Sequence, residues 1–299
     1  MPDAIAHYKV LAPLGAGGLG EVFRARDTRL GRTVAVKVLP VDIVSDRRRL
    51  RPLLDAATAA ASVSHPNITE LFEIGEDVGQ RFLVFEFVPG EPLGALIDGR
   101  ALNVRRAVEL AIQLADALAE AEAHEKVHGD IRPNTIVVTS KDRAKLMNFG
   151  LAAFTAGGAS RRVSSAVYVA PEEANGPSGD IRSDIFSLGA VLFEMLTGRP
   201  RGQGLAPSSL NKAVPPELDR IVGRMLAGNV EHRFQSAATV AAELRAMAAI
   251  LETRATAEEA HFDLPRRRSR RSGALAVFVG VVLLVAVIAA WVWHSLAGR

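Results

Sequence analysis

Twenty consecutive uncharged residues, Ala274 to Trp293, constrain this chain more than any other stretch of it. At 1.5 Å per residue a helix of that length matches a bilayer's hydrocarbon core of about 30 Å. Trp291 and Trp293 lie at the far end, where amphipathic rings prefer the membrane–water interface. Arg266, Arg267, Arg268, Arg270 and Arg271 crowd the near end, and by the positive-inside rule they hold the large N-terminal part in the cytoplasm. The expectation is a single-pass protein of the cell membrane. Residues 251–273 form a polar, then Arg-rich, juxtamembrane linker, 274–293 a transmembrane helix, and 294–299 a short tail beyond it. The rival readings are a buried core helix and, for the arginines, a nuclear-localisation or nucleic-acid patch. Length without a polar residue argues against the first, and the adjoining apolar span against the second. The start, Met1-Pro2-Asp3-Ala4, has neither a basic run nor an apolar one, so no signal peptide is expected.

Charge and cysteine usage remove several function classes from the remainder. Lys and Arg number 36 against 33 Asp and Glu, and without the five clustered arginines the balance is 31 against 33, or −2. A nucleic-acid-binding body is therefore not indicated. The absence of cysteine excludes disulfides, thiolate catalysis and Cys-based metal sites.

Before the anchor the chain divides in character. Short apolar runs at Val34 to Leu39, Leu71 to Ile74 and Phe82 to Phe85 predict strands, with one Ala-rich helix over Arg48 to Val63 between them. After Pro89-Gly90 the pattern turns helical. Apolar residues at Val108, Ala111, Leu114, Ala115 and Leu118 predict a helix over Val104 to His124, and Ser183 to Leu196 and Pro216 to Leu226 follow suit. An α+β architecture results, with an extension at 1–7, a β-rich lobe at about 8–88 and a helical lobe at about 89–250.

Leu14-Gly15-Ala16-Gly17-Gly18-Leu19-Gly20-Glu21-Val22 carries a Gly-x-Gly-x-x-Gly-x-Val pattern between two strand-like segments. Glycines let backbone N–H groups approach phosphate oxygens closely, although a plain Gly-rich hairpin explains the run equally well. Dinucleotide binding is excluded because a strand, not a helix, follows Gly20. That next strand holds Lys37 within Val34-Ala35-Val36-Lys37, either a solvated edge lysine or an ammonium aimed at phosphates.

From here the chain resembles the bacterial Ser/Thr protein kinases of eukaryotic type. The resemblance continues in the family's order through His65-Pro66-Asn67-Ile68, Glu86-Phe87-Val88-Pro89-Gly90, His128-Gly129-Asp130-Ile131-Arg132-Pro133, Asn148-Phe149-Gly150, Ala170-Pro171-Glu172, Ser183-Asp184-Ile185-Phe186 and His232-Arg233-Phe234. It implies the bilobal protein kinase fold with ATP in the cleft between the lobes. By the same resemblance Leu14, Gly15, Gly17, Gly18 and Gly20 line the phosphate loop and Lys37 meets the phosphates. Val22, Ala35 and Val137 enclose the adenine, Phe85 is the gatekeeper, and Glu86 and Val88 present backbone groups to the purine. Asp130 matches the catalytic base and Arg132 the phosphate-contacting Lys. Asp184 pins the catalytic loop, and Glu172 pairs with Arg233.

The departures from the family fall on the chemistry. Asn148 stands where the metal-binding Asp belongs, and a neutral amide lacks the anionic oxygen that a hard cation favours. Thr135 stands where the metal-binding Asn belongs, with Asn134 one place early and so turned to the opposite face. Ala56 occupies the position of the helix Glu that pairs with Lys37, and the adjacent Asp55 is displaced by about 100°. Gly129 replaces the Arg that would receive a phosphate on Ser160, Ser164 or Ser165, and only Arg201 to Ala213 fills a region that holds a docking helix in many kinases. Phosphoryl transfer rests on metal and positioning, so a degenerate, pseudokinase-like member that does not hold Mg²⁺ or Mn²⁺ in the family's way is expected, with an active kinase as the alternative.

Overall fold

The computed structural model describes residues 2–154, 166–174, 179–202 and 204–262, together with Val285, Val287, Ile288 and Ala290. The chain divides into two compact units, 1–252 and 253–299.

In the first unit, strands β1 (Ala4–Ile5), β2 (Tyr8–Gly17), β3 (Gly20–Asp27), β4 (Thr33–Val38), β5 (Leu71–Asp77) and β6 (Gln80–Glu86) form one antiparallel sheet in the order β1-β2-β3-β4-β6-β5. Successive strand residues point to opposite faces, so β4 divides its apolar run between two cores. Val34, Val36 and Val38 join Phe23, Ala25, Phe82 and Val84 on one face. Ala35 joins Leu83 and Phe85 on the other, which is covered by Leu53 and Ala57 of helix α2 (Arg47–Ala60) after a single turn, α1 (Val41–Val44). Asp46 caps α2 by accepting from the Arg48 N–H at 2.9 Å. The turn between β2 and β3 folds inward, and Leu19 at its tip is only 2% exposed, in the same cluster as Leu53, Ala57 and Leu151. Gly20 is obligatory beside it, because a Cβ there would fall 1.9 Å from the Val38 carbonyl oxygen.

The second lobe is helical apart from a small sheet, β7 (Gly90–Pro92), β8 (Ile136–Thr139) and β9 (Ala144–Leu146). Helices α3 (Leu93–Ile97), α4 (Val104–Ala123), α5 (Ile181–Thr197), α6 (Pro207–Leu210), α7 (Pro216–Met225) and α8 (Ala237–Phe262) build it. The α4 stripe of Val108, Ala111, Leu114, Ala115 and Leu118 is buried throughout, each large side chain contributing about 1.5–3 kcal/mol. Helix α5 is buried on all sides from Ser183 to Phe193. At Gly189 a Cβ would lie 2.7 Å from that of Met225, so a glycine lets α5 and α7 approach. The strands and helices predicted between Val34 and Leu226 form, within a few residues of their expected ends.

Helix α8 runs to Phe262, into the stretch expected as polar linker. Among the described residues no helix is long and apolar enough to cross a membrane. The expected transmembrane helix over 274–293 lies outside the described residues except for Val285, Val287, Ile288 and Ala290, which are helical and exposed. Ser160, Ser164, Ser165 and the arginine run also lie outside them.

Candidate functional site

The register of the first sheet assembles one wall of the site. Val22 of β3 pairs with Lys37, Lys37 with Leu83 of β6, and Ala35 with Phe85. Lys37 is 8% exposed, and burial pushes its ammonium down to about 8. Its Nζ donates to Oδ1 of Asn148 and lies 5.5 Å from the Phe85 ring centre. An ammonium has only donors, so the Asn148 carbonyl oxygen must face it. Asn148 sits at φ +59°, a left-handed conformation that Asn adopts more readily than most residues.

The helix side offers Lys37 no acid. Asp55 is 71% exposed and pairs with Arg51 one turn away at 3.8 Å. At Gly150 a Cβ would meet the Ala60 Cβ at 3.2 Å and the Ala56 carbonyl oxygen at 3.8 Å, so the segment after Asn148 packs against the small residues of α2.

Helix α5 organises the loop over residues 128–135. Asp184 accepts from the His128 and Gly129 N–H groups at 2.6 and 2.8 Å. Burial pushes its carboxyl up to about 7, against the pull of those two donors. His128 Nδ1 accepts from the Asp130 N–H at 3.1 Å, so its Nε2 carries the proton donated to the Met147 carbonyl at 3.0 Å. Gly129 takes φ +74°, a conformation that an arginine would adopt only with strain. Asp130 is 8% exposed, and its Oδ1 accepts from Arg132 Nε at 3.0 Å.

Thr135 holds the loop together. Its Oγ1 donates toward the Asp130 and Arg132 carbonyls at 2.6 and 3.0 Å and accepts from the Arg132 N–H at 3.1 Å. Asn134 is exposed, and its Oδ1 lies beside α3, where a Cβ on Gly94 would fall 2.6 Å away. Among the described residues no group of three or more His, Asp or Glu could hold a metal ion.

At the hinge, the Glu86 N–H donates to the Glu70 carbonyl at 2.9 Å and its carboxylate takes Lys145. The Glu86 N–H is therefore already engaged within the sheet. Leu14 is 48% exposed on β2, while Val22, Val88 and Val137 are half-buried. Away from the cleft, Glu172 takes Arg233 in two parallel bonds of 2.6 and 2.7 Å and Ser183 Oγ at 2.6 Å. Burial raises the Glu172 carboxyl, yet these donors outweigh it and hold the group at about 2.

Three features escape a reading of motifs alone: the Lys37–Asn148 contact, the Lys145–Glu86 pair and the buried Leu19. Val137 and Lys145 are cross-strand partners, and that pairing is the one signal that would have carried Lys145 toward the hinge.

Comparison with known proteins agrees with the fold. Residues 8–259 match the protein kinase domain. A probable serine/threonine-protein kinase of Streptomyces coelicolor is 34% identical over 265 residues, covering 80% of this chain and 39% of its own length. PknB, a serine/threonine-protein kinase of Mycobacterium leprae, is 34% identical over 269 residues, covering 81% of this chain and 43% of its own. The chain thus spans about two fifths of these relatives. A crystal structure of a double mutant of the Mycobacterium tuberculosis PknI kinase domain has a TM-score of 0.70 at 27% identity, covering 83% of this chain and 99% of that one. The chain belongs to the protein kinase family, among the bacterial Ser/Thr kinases of eukaryotic type.

Proposed function

We propose that this protein is a membrane-tethered Ser/Thr kinase-like module in which phosphoryl transfer is impaired, serving as a nucleotide-binding or scaffolding element in signalling. One observation carries the reading: both positions that hold the metal in the family are engaged elsewhere, Asn148 on Lys37 and Thr135 within its own loop. Asp130 is then the carboxylate left at the family's chemical positions, and Arg132 already bonds it. These donors do not fit a divalent cation, which prefers several anionic oxygens. Metal stabilisation of transferred phosphate is worth several kcal/mol, and each ~1.4 kcal/mol is tenfold in rate, so transfer slows by about a thousandfold or more.

The alternative is an active kinase, favoured by Lys37, Asp130 and Arg132 at their family positions. To separate the two, the full chain is incubated with γ-labelled ATP and Mg²⁺ or Mn²⁺ beside an Asp130→Ala control. No label above the control, with a cooperative melt, supports the impaired reading; label that vanishes in the control overturns it. Tethering rests on the uncharged run 274–293 and its flanking arginines. Deleting 266–299 releases the protein from membranes if that reading holds, and persistent sedimentation with membranes refutes it.

A further inference from the structure

The nucleotide-binding reading extends to the chemistry of the ligand. At the family's positions around the phosphates this chain keeps two cations, Lys37 and Arg132, and one carboxylate, Asp130. The family has two further carboxylates among these positions, a Glu at the Ala56 position that pairs with the lysine and an Asp at the Asn148 position that meets the phosphates through a divalent cation. Here their loss turns the balance of those positions from net negative to net positive. Metal-free phosphate no longer meets a carboxylate at the Asn148 position.

Asn148 contributes more than the removal of a charge. Its carbonyl oxygen is taken by Lys37, so the rest of the amide is an NH₂ group, which has only protons to give. An aspartate at this place reaches a phosphate oxygen only through a bridging cation. An amide N–H bonds a phosphate oxygen directly. Thr135 and Asn134 supply nothing in competition, being held by the loop and turned beside α3.

We propose that the cleft binds a nucleoside phosphate without a divalent cation, Lys37 and Arg132 supplying the counter-charge and the Asn148 amide acting as a direct phosphate ligand. This rests on the nucleotide-binding reading above and adds the state in which the nucleotide is taken. Magnesium is then a competitor, since it masks the phosphate charge that the two cations recognise.

Equilibrium binding of ADP and ATP to the full chain, by calorimetry in EDTA and in excess Mg²⁺, tests it. Wild-type protein is expected to bind in EDTA at least as tightly as in Mg²⁺. Asn148→Asp puts an anion against the phosphates, so binding in EDTA weakens by about tenfold or more and Mg²⁺ restores it. Aspartate tolerates the left-handed backbone as asparagine does, and a melt checks that the variant folds. The wild-type comparison stands even if it does not. Wild-type binding tenfold tighter in Mg²⁺ overturns the metal-free proposal and leaves the nucleotide reading intact. No binding in any condition, by folded protein, overturns both.

Discussion

Replacing Lys37 with methionine, a side chain of similar length without charge, is expected to stabilise the protein, and the size of the gain follows from burial. Lys37 is 8% exposed, and desolvation pushes its ammonium from 10.5 to about 8. At about 1.4 kcal/mol per pH unit, keeping the charge buried at neutral pH costs about 3 kcal/mol. The lysine binds fewer protons when folded than when unfolded between pH 8 and 10.5, so this cost is fully present below pH 8 and fades as pH rises through that window. The advantage of Lys37→Met is therefore about 3 kcal/mol at pH 7 and roughly half of that by pH 9.5. For a domain of this size it corresponds to a melting temperature higher by roughly 6–12 °C at pH 7. Paired thermal and denaturant melts of the full chain at pH 7 and pH 9.5 measure it. A variant less stable than wild type at pH 7, or a difference that does not shrink with pH, would refute the reasoning and mean that the contacts Lys37 makes, Asn148 among them, outweigh the cost of its burial.

Glu172→Ala leaves the fully buried Arg233 guanidinium without its carboxylate and is expected to cost about 3–5 kcal/mol, read as a melt lowered by roughly 10 °C. Because the Glu172 carboxyl is held at about 2, its contribution is present above pH 4.5 and lost as pH falls toward 2, so wild type and Glu172→Gln converge in acid. Asp184→Ala strands the His128 and Gly129 N–H groups, at about 1–3 kcal/mol each, and hydrogen exchange of those two amides accelerates; unchanged exchange would disconnect α5 from the loop. Asn148→Asp, Thr135→Asn and Ala56→Glu together raise label transfer to a generic acceptor by about tenfold or more, and no gain would locate the defect outside the metal and lysine positions.

Much of the architecture is legible in the sequence because its signals are periodic. The alternation Val34-Ala35-Val36-Lys37 both predicts a strand and sorts its side chains onto two faces, and those faces become two cores. The five apolar positions of α4 recur at helical spacing and are all buried. The departures are legible too, since Ala56, Thr135 and Asn148 are defined by distance along the chain from recognisable neighbours. Side-chain direction is what spacing omits. Nothing in the motif order says that Asn148 turns its oxygen to Lys37, or that Asp55 turns to Arg51 and the solvent. Thr135 is the instructive case: read as a missing ligand, it is also the hydroxyl that ties Asp130 to Arg132 through three hydrogen bonds. Building the loop and holding a metal are separable tasks, and this residue performs the first.

The inward fold of the glycine-rich turn has a kinetic consequence. Leu19 lies 2% exposed under its own loop, and lifting that loop returns the side chain to water at about 1.5–3 kcal/mol. Open molecules are then outnumbered by about ten- to a hundredfold, and a ligand that needs the loop raised loses that factor in apparent affinity. Its association is gated: at high ligand concentration the observed rate levels off at the rate of opening instead of rising with every added molecule. A ligand small enough to leave the loop closed would escape that gate, so the burial of Leu19 would act on ligands by the room they demand.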